Sequence, residues 1–171
     1  TNAETTTCRI LAQTVFSQID IHAEFGGVFP VVAKREHARR LVPLLEHILK
    51  QSGIGASRID EKELDKNKKI ATDILQEKES DLLTSILNSK LLVEKPSIDR
   101  IAVTRGPGLE PALWVGVNFA RVLSVVWNIP IVPTNHMEGH IVAPLITDLH
   151  SQETQPLKSI AFPALALLIS G

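Results

Sequence analysis

The stretch from Arg100 to His140 constrains the fold of this chain more than any other part of it. Ile101-Ala102-Val103-Thr104 is a short β-prone run, and Arg105-Gly106-Pro107-Gly108 after it has the composition of a tight turn. Pro111 stands where the first turn of a helix tolerates proline, and the helix it opens is predicted to run to about Trp127. Ile129-Pro130-Ile131-Val132 reads as a second strand, and Asn135 is placed to cap a helix carrying His136 and His140. The apolar run Ala164 to Ile169 reads as a further strand of the buried type. The second half is therefore strand–turn–helix–strand–helix–strand, an α/β organisation.

The first half is less regular. Ile10 to Gln18 is β-rich and partly alternating, so a strand is expected there. A loop with Gly26, Gly27 and Pro30 follows, where backbone needing positive φ is expected. From Ala33 to Gln51 the positions Ala38, Leu41, Leu44, Leu45, Ile48 and Leu49 recur at helical spacing. Pro43 inside that pattern predicts a kink or a shifted start, and Gly53 with Gly55 predicts the end. Residues 57–97 change in composition, with dense Asp, Glu and Lys and one apolar stripe of Ile74, Leu75, Leu82, Leu83, Ile86 and Leu87. An amphipathic helix or helical pair lying on the surface is the simplest reading, its charges a solvated face.

The 171 residues suffice for one domain with a core, and 44% hydrophobic against 22% charged residues is a globular profile. A net charge of −1 gives no global attraction to nucleic acid or anionic membrane, although a local basic patch is compatible with it. The single Cys8 excludes an internal disulfide and fits a reducing compartment. It reads as a small buried or near-surface thiol. No apolar run reaches the ~18 residues of a membrane span, and no secretory leader is recognisable. The chain starts without Met and stops on Ile169-Ser170-Gly171 directly after an apolar run, which suggests a piece of a longer protein.

Three constellations bear chemistry. His136 and His140 are four residues apart, so one helix face carries both, and their imidazoles can converge on one metal ion. Two such residues can equally hydrogen-bond or face water. The pattern is not that of zinc proteases, whose Glu directly follows the first His; Glu138 lies two residues on, roughly across the helix. Met137 and Gly139 read as packing and close-approach residues. The Arg105-Gly106-Pro107-Gly108 turn, opening a helix, suits an anion, and Ser170-Gly171 after an apolar strand has the look of a phosphate-contacting loop.

In order, the motifs GPGL, Val115-Gly116-Val117, NHMEGH and ALLISG closely resemble the TsaD family, the tRNA N6-adenosine threonylcarbamoyltransferases once called O-sialoglycoprotein endopeptidases. The stretch from Ser17-Gln18 to His37 (SQIDIHAEFGGVFPVVAKREH) looks like the same family's N-terminal region, and the HMEGH form looks bacterial. The resemblance leaves out residues of about 52–98, which read as a charged helical insertion. It implies the actin-like, Hsp70-like ATPase fold (the ASKHA, RNase H-like class) of two α/β halves, with only the N-terminal half in residues 1–171.

The resemblance further implies that His136 and His140 bind one divalent ion per subunit, iron (Fe2+) foremost and zinc as the alternative. Leu168, Ile169, Ser170 and Gly171 would begin the substrate-contacting loop. The implied reaction transfers the threonylcarbamoyl group from threonylcarbamoyl-AMP to N6 of adenosine 37 in tRNAs reading ANN codons, in the cytoplasm. Expected partners are the tRNA, a related non-catalytic TsaB-like subunit and a small TsaE-like P-loop ATPase, with no membrane. The family's opening Glu-Thr-Ser-Cys strand is at most vestigial around Thr1 to Glu4, and the second half, with an aspartate that completes the metal site, lies outside these residues. The 171 residues alone are therefore expected to be inactive, and no general base stands out. A metallopeptidase and a non-catalytic module of the same fold are the competing readings; the position of Glu138 weighs against the first and the paired histidines against the second.

Overall fold

Pro30 begins the first long helix in a computed structural model that describes residues 6–20 and 26–167. This helix, α1 (Pro30–Ser52), has its proline in the first turn, where a missing N–H costs nothing, and ends at Gly53 with φ 66°. Pro30 is thus a helix residue rather than a loop residue, whereas Gly26 (φ 68°) and Gly27 (φ 154°) do form the expected turn. Pro43 neither starts nor stops α1; it lies on the exposed side.

A short antiparallel clip of β2 (Ala56–Arg58) and β3 (Glu94–Pro96) follows, closed by Ile59 N–H to the Val93 carbonyl and Ser97 N–H to the Gly55 carbonyl, both 2.8 Å. Between its strands run α2 (Glu61–Leu75), α3 (Ser80–Leu87) and a 3-10 turn at Lys90–Leu92. The Asp60 side chain caps α2 by accepting from the Lys62 amide at 2.9 Å. Segment 52–98 forms the expected pair of amphipathic helices with its charges mostly solvated, and its apolar face joins the core. Ala71, Leu75, Leu82 and Ile86 are all fully buried, and they share one cluster with Val42, Val115, Val122 and Trp127. The apolar stripe correctly marked the buried face. What the stripe alone does not carry is that two neighbouring helices, α1 and the helix after β4, cover it.

The centre of the molecule is the parallel pair β4 (Ile101–Gly106) and β5 (Ile131–Asn135), linked by α4 (Glu110–Trp127). Ile101 pairs with Ile131 and Thr104 with Thr134, with an irregularity before Gly106 pairs with Asn135. Buried residues on α4 (Val115, Asn118, Phe119, Ala120, Val122, Leu123 and Trp127) point in several directions, because the helix meets β4 on one side and α1 and α2 on the other. Gly116 faces the sheet, where an added Cβ would make ordinary contact with Val103 Cγ2 at 3.7 Å. At its far end Asn128 adopts φ 51°, and the Ser124 hydroxyl donates to the Ile129 carbonyl at 2.6 Å. The strand expected from Ile129 begins two residues later, after that cap is complete.

Two buried hydrogen bonds tie the helical layer to this unit. Trp127 Nε1–H donates to the Leu91 carbonyl at 2.8 Å, and Asn67 Nδ2 to the Leu92 carbonyl at 3.1 Å. Both carbonyls sit in the 3-10 turn, where they would otherwise be desolvated without a partner. At the surface corner, the Lys34 ammonium joins the buried Glu79 carboxylate (3.2 Å) and the Lys78 carbonyl (2.8 Å).

Two expected strands are not seen among the described residues. Residues 10–18 are irregular, and the described strand nearest to them in sequence is β1 (Thr7–Cys8), which pairs antiparallel with β6 (Gln155–Pro156). Of the run Ala164 to Ile169, residues 164–167 are irregular, with no partner strand among the described residues, and Leu165 is 98% exposed; Leu168 and Ile169 lie outside the described residues. In both cases β-propensity finds no neighbouring ladder among the described residues, and a strand without one leaves its backbone to water. The α5 helix (His136–Val142) and a 3-10 turn at Ala143–Leu145 follow β5. No helix among the described residues is long and apolar enough to cross a membrane.

Replacing Trp127 by Phe strands the Leu91 carbonyl in the core, which costs about 1–3 kcal/mol. Trp114, half exposed and bonded to Glu110 at 3.3 Å, serves as the control, and its replacement by Phe stays within about 0.5 kcal/mol. Urea unfolding followed by circular dichroism distinguishes the two, and equal midpoint shifts would refute the assignment of Trp127 as the tie between layers.

Candidate functional site

Both parallel strands deliver their carboxyl ends to one edge of the sheet, the place where open α/β sheets bind ligands. After β4 the chain makes the Gly106-Pro107-Gly108 turn, with φ 146° at Gly106 and 159° at Gly108. A Cβ on Gly108 would meet Leu113 Cδ1 at 3.4 Å, so the turn lies close over the first turn of α4. After β5, Asn135 caps α5 as expected. Its Oδ1 accepts from the Met137 amide at 2.8 Å and from the Glu138 amide at 3.4 Å.

That cap sets the histidines at the start of α5. His136 and His140 stand one turn apart on an exposed face, with ring centroids 4.5 Å apart and planes at 74°. Their Nε2 atoms are 3.1 Å apart. Two nitrogens bound to one ion at ~2.0–2.1 Å, at angles between octahedral and tetrahedral, stand ~2.9–3.4 Å apart. The pair therefore fits one metal ion with little movement. Without an ion, the same distance is an N–H to N hydrogen bond between opposite tautomers. Among the described residues no group of three or more His, Cys, Asp or Glu side chains assembles around them.

His136 borders two open clefts. One, of about 610 Å³, lies between α1, the end of β4 and the glycine turn, and includes Gln18, His37, Thr104 and Gly108. The other, of about 710 Å³, follows β5 and α5 and includes Thr134, Asn135, Glu138 and His140. Glu138 thus edges the second cleft without entering a metal-binding cluster. Met137 is half-buried, in keeping with packing, but a Cβ on Gly139 meets nothing within 4 Å, so no close approach explains that glycine. Leu168, Ile169, Ser170 and Gly171, expected to begin a substrate loop, lie outside the described residues. Cys8 is half-buried and free, as a near-surface thiol should be. A third cleft, between the end of α1 and the β2–β3 clip, shares no lining residue with these two and gathers no convergent reactive groups.

His37 escaped the sequence reading as a cleft residue. The signal was present, because Ala33, His37 and Leu41 are spaced four apart on α1 and all line the first cleft. One histidine interrupts an otherwise apolar helix stripe.

Compared with known families, the chain matches TsaD, described as tRNA N6-adenosine threonylcarbamoyltransferase, over residues 9–61 and 74–171. It belongs to that family. The matched stretches contain the glycine turn, both histidines and most of segment 52–98, leaving out 62–73.

Loss of the cap isolates its contribution. Asn135→Ala should weaken the start of α5 by about 0.5–2 kcal/mol, and Asn135→Ser should retain most of it. Hydrogen exchange at the Met137 and Glu138 amides reads this directly. Unchanged protection in the alanine variant would show that the histidines are held by something else.

Proposed function

We propose, from that family membership as premise, that the protein transfers a threonylcarbamoyl group from threonylcarbamoyl-AMP to N6 of adenosine 37 in tRNAs reading ANN codons. Membership in a family of tRNA-modifying transferases supports the general activity. The observation that favours the specific reading is the pair His136 and His140, capped onto the carboxyl edge of a parallel sheet with Nε2 atoms 3.1 Å apart. In this reading the α/β unit is the N-terminal half of an actin-like, Hsp70-like fold. Its partners are the tRNA, a TsaB-like subunit and a TsaE-like ATPase, and its setting is the cytoplasm.

His136 and His140 would hold one divalent ion, iron or zinc, with further ligands from outside the described residues. Such an ion supplies Lewis acidity toward a carbonyl or carboxylate oxygen of the substrate. The remaining work falls to the chain itself. Asn135 fixes the direction of α5 and hence of both imidazoles. The glycine turn lets backbone approach the substrate without side-chain obstruction, and the positive end of the 18-residue α4 faces the adenylate's anionic groups. The largely apolar wall of the first cleft, including Val103, Leu109 and Leu113, offers an apolar surface beside the place where the acyl-adenylate would lie.

The test is reconstitution of the full-length protein with tRNA, threonylcarbamoyl-AMP and metal, scored by mass spectrometry of the digested nucleosides. Threonylcarbamoyladenosine should form with the native protein. His136→Ala and His140→Ala should each lose bound metal by elemental analysis and lose transfer with it. Metal retained in both variants would remove the histidines from the account, and an inert native protein would remove the reaction.

A further inference from the structure

Among the polar side chains lining the cleft beside the glycine turn, Gln18, His37, Thr104 and His136, only the two imidazoles are ordinary proton acceptors near neutral pH. If His136 is engaged with a metal, His37 remains. It is half-buried on α1, and its ring is held from behind. Nδ1 lies 2.7 Å from the Ala33 carbonyl, the acceptor one turn back on the same helix. A carbonyl only accepts, so the proton of the neutral ring resides on Nδ1 and Nε2 carries the lone pair. Gln18 Nε2 lies farther off, 3.3 Å from the same Nδ1, and as a donor it does not compete for that proton. With Nδ1 committed to the helix backbone, Nε2 is left as the basic nitrogen of a residue that lines the cleft.

We propose that His37 is the proton acceptor of the transfer step, an inference that rests on the transferase reading above. The adenine amine attacks the carbamoyl carbonyl carbon and forms the C–N bond. The C–O bond to the phosphate breaks, and its electron pair leaves with AMP. The attacking nitrogen must shed one proton, which passes to Nε2 of His37 and from there to water. The Ala33 carbonyl then stabilises the imidazolium through its other N–H. This is the arrangement that general bases require: a lone pair toward the reacting group and an acceptor behind the ring.

The experiment uses the full-length protein, loaded with metal and supplied with tRNA and threonylcarbamoyl-AMP. In His37→Gln, turnover should fall roughly 100- to 10,000-fold, while metal content, thermal midpoint and tRNA affinity stay at the native values. In His37→Ala, added imidazole should restore part of the lost turnover, a response that a purely structural role would not give. Native turnover in His37→Gln overturns the proposal, as does a loss in both variants that imidazole leaves unchanged. In either case an active native protein leaves the transferase reading standing. An inactive native protein overturns that reading, and the role of His37 falls with it.

Discussion

Helix α4 is apolar on nearly every side, and that single constraint organises the molecule. A helix of this kind has to be covered on most sides, and Trp114 and Val125 mark where α4 still meets solvent. The parallel strands β4 and β5 supply one wall, with Gly116 facing Val103, and α1 and α2 supply the other. Trp127 closes the arrangement, because its indole fills the core while its N–H satisfies the Leu91 carbonyl. Once α4 is fixed, so are the two places where chain leaves the carboxyl ends of its flanking strands. The glycine turn occupies one and the Asn135-capped helix the other. Site geometry therefore follows from core packing, although neither histidine belongs to the core.

The site itself rests on small, local devices. One asparagine side chain satisfies two amides at the start of a seven-residue helix and so sets the direction of two imidazoles. Gly108, with positive φ, brings backbone rather than a side chain to the lining of the cleft. A carbonyl on α1 selects the tautomer of His37. Each contributes on the order of 1 kcal/mol or less to folding, but together they orient the side chains that chemistry depends on.

Legibility in the sequence followed the range of the physics. The turn after β4, the helix to Trp127, the asparagine cap and the i, i+4 histidines are local features, and the structure places them where residue chemistry puts them. Gly53 likewise ended its helix through its own backbone freedom. Failures came where a distant neighbour decides. Ile10 to Gln18 has the composition of a strand but no ladder beside it among the described residues. Ala164 to Leu167 shows the same lack. The stripe through Leu75, Leu82 and Ile86 was visible as apolar spacing, but its depth was not, because the covering helices come from elsewhere in the chain. His37 was hidden for a related reason: its four-residue spacing from Ala33 and Leu41 matters only once the cleft they share has formed.

Metal coordination by the two histidines is the claim on which the functional account turns. X-ray absorption at the metal edge of the full-length protein, loaded with zinc, measures it most directly. The account predicts a first shell containing two imidazole nitrogens at ~2.0–2.1 Å, a signal that disappears with the zinc in either single histidine-to-alanine variant. A shell with no imidazole contribution, or one unaltered by both substitutions, would contradict it.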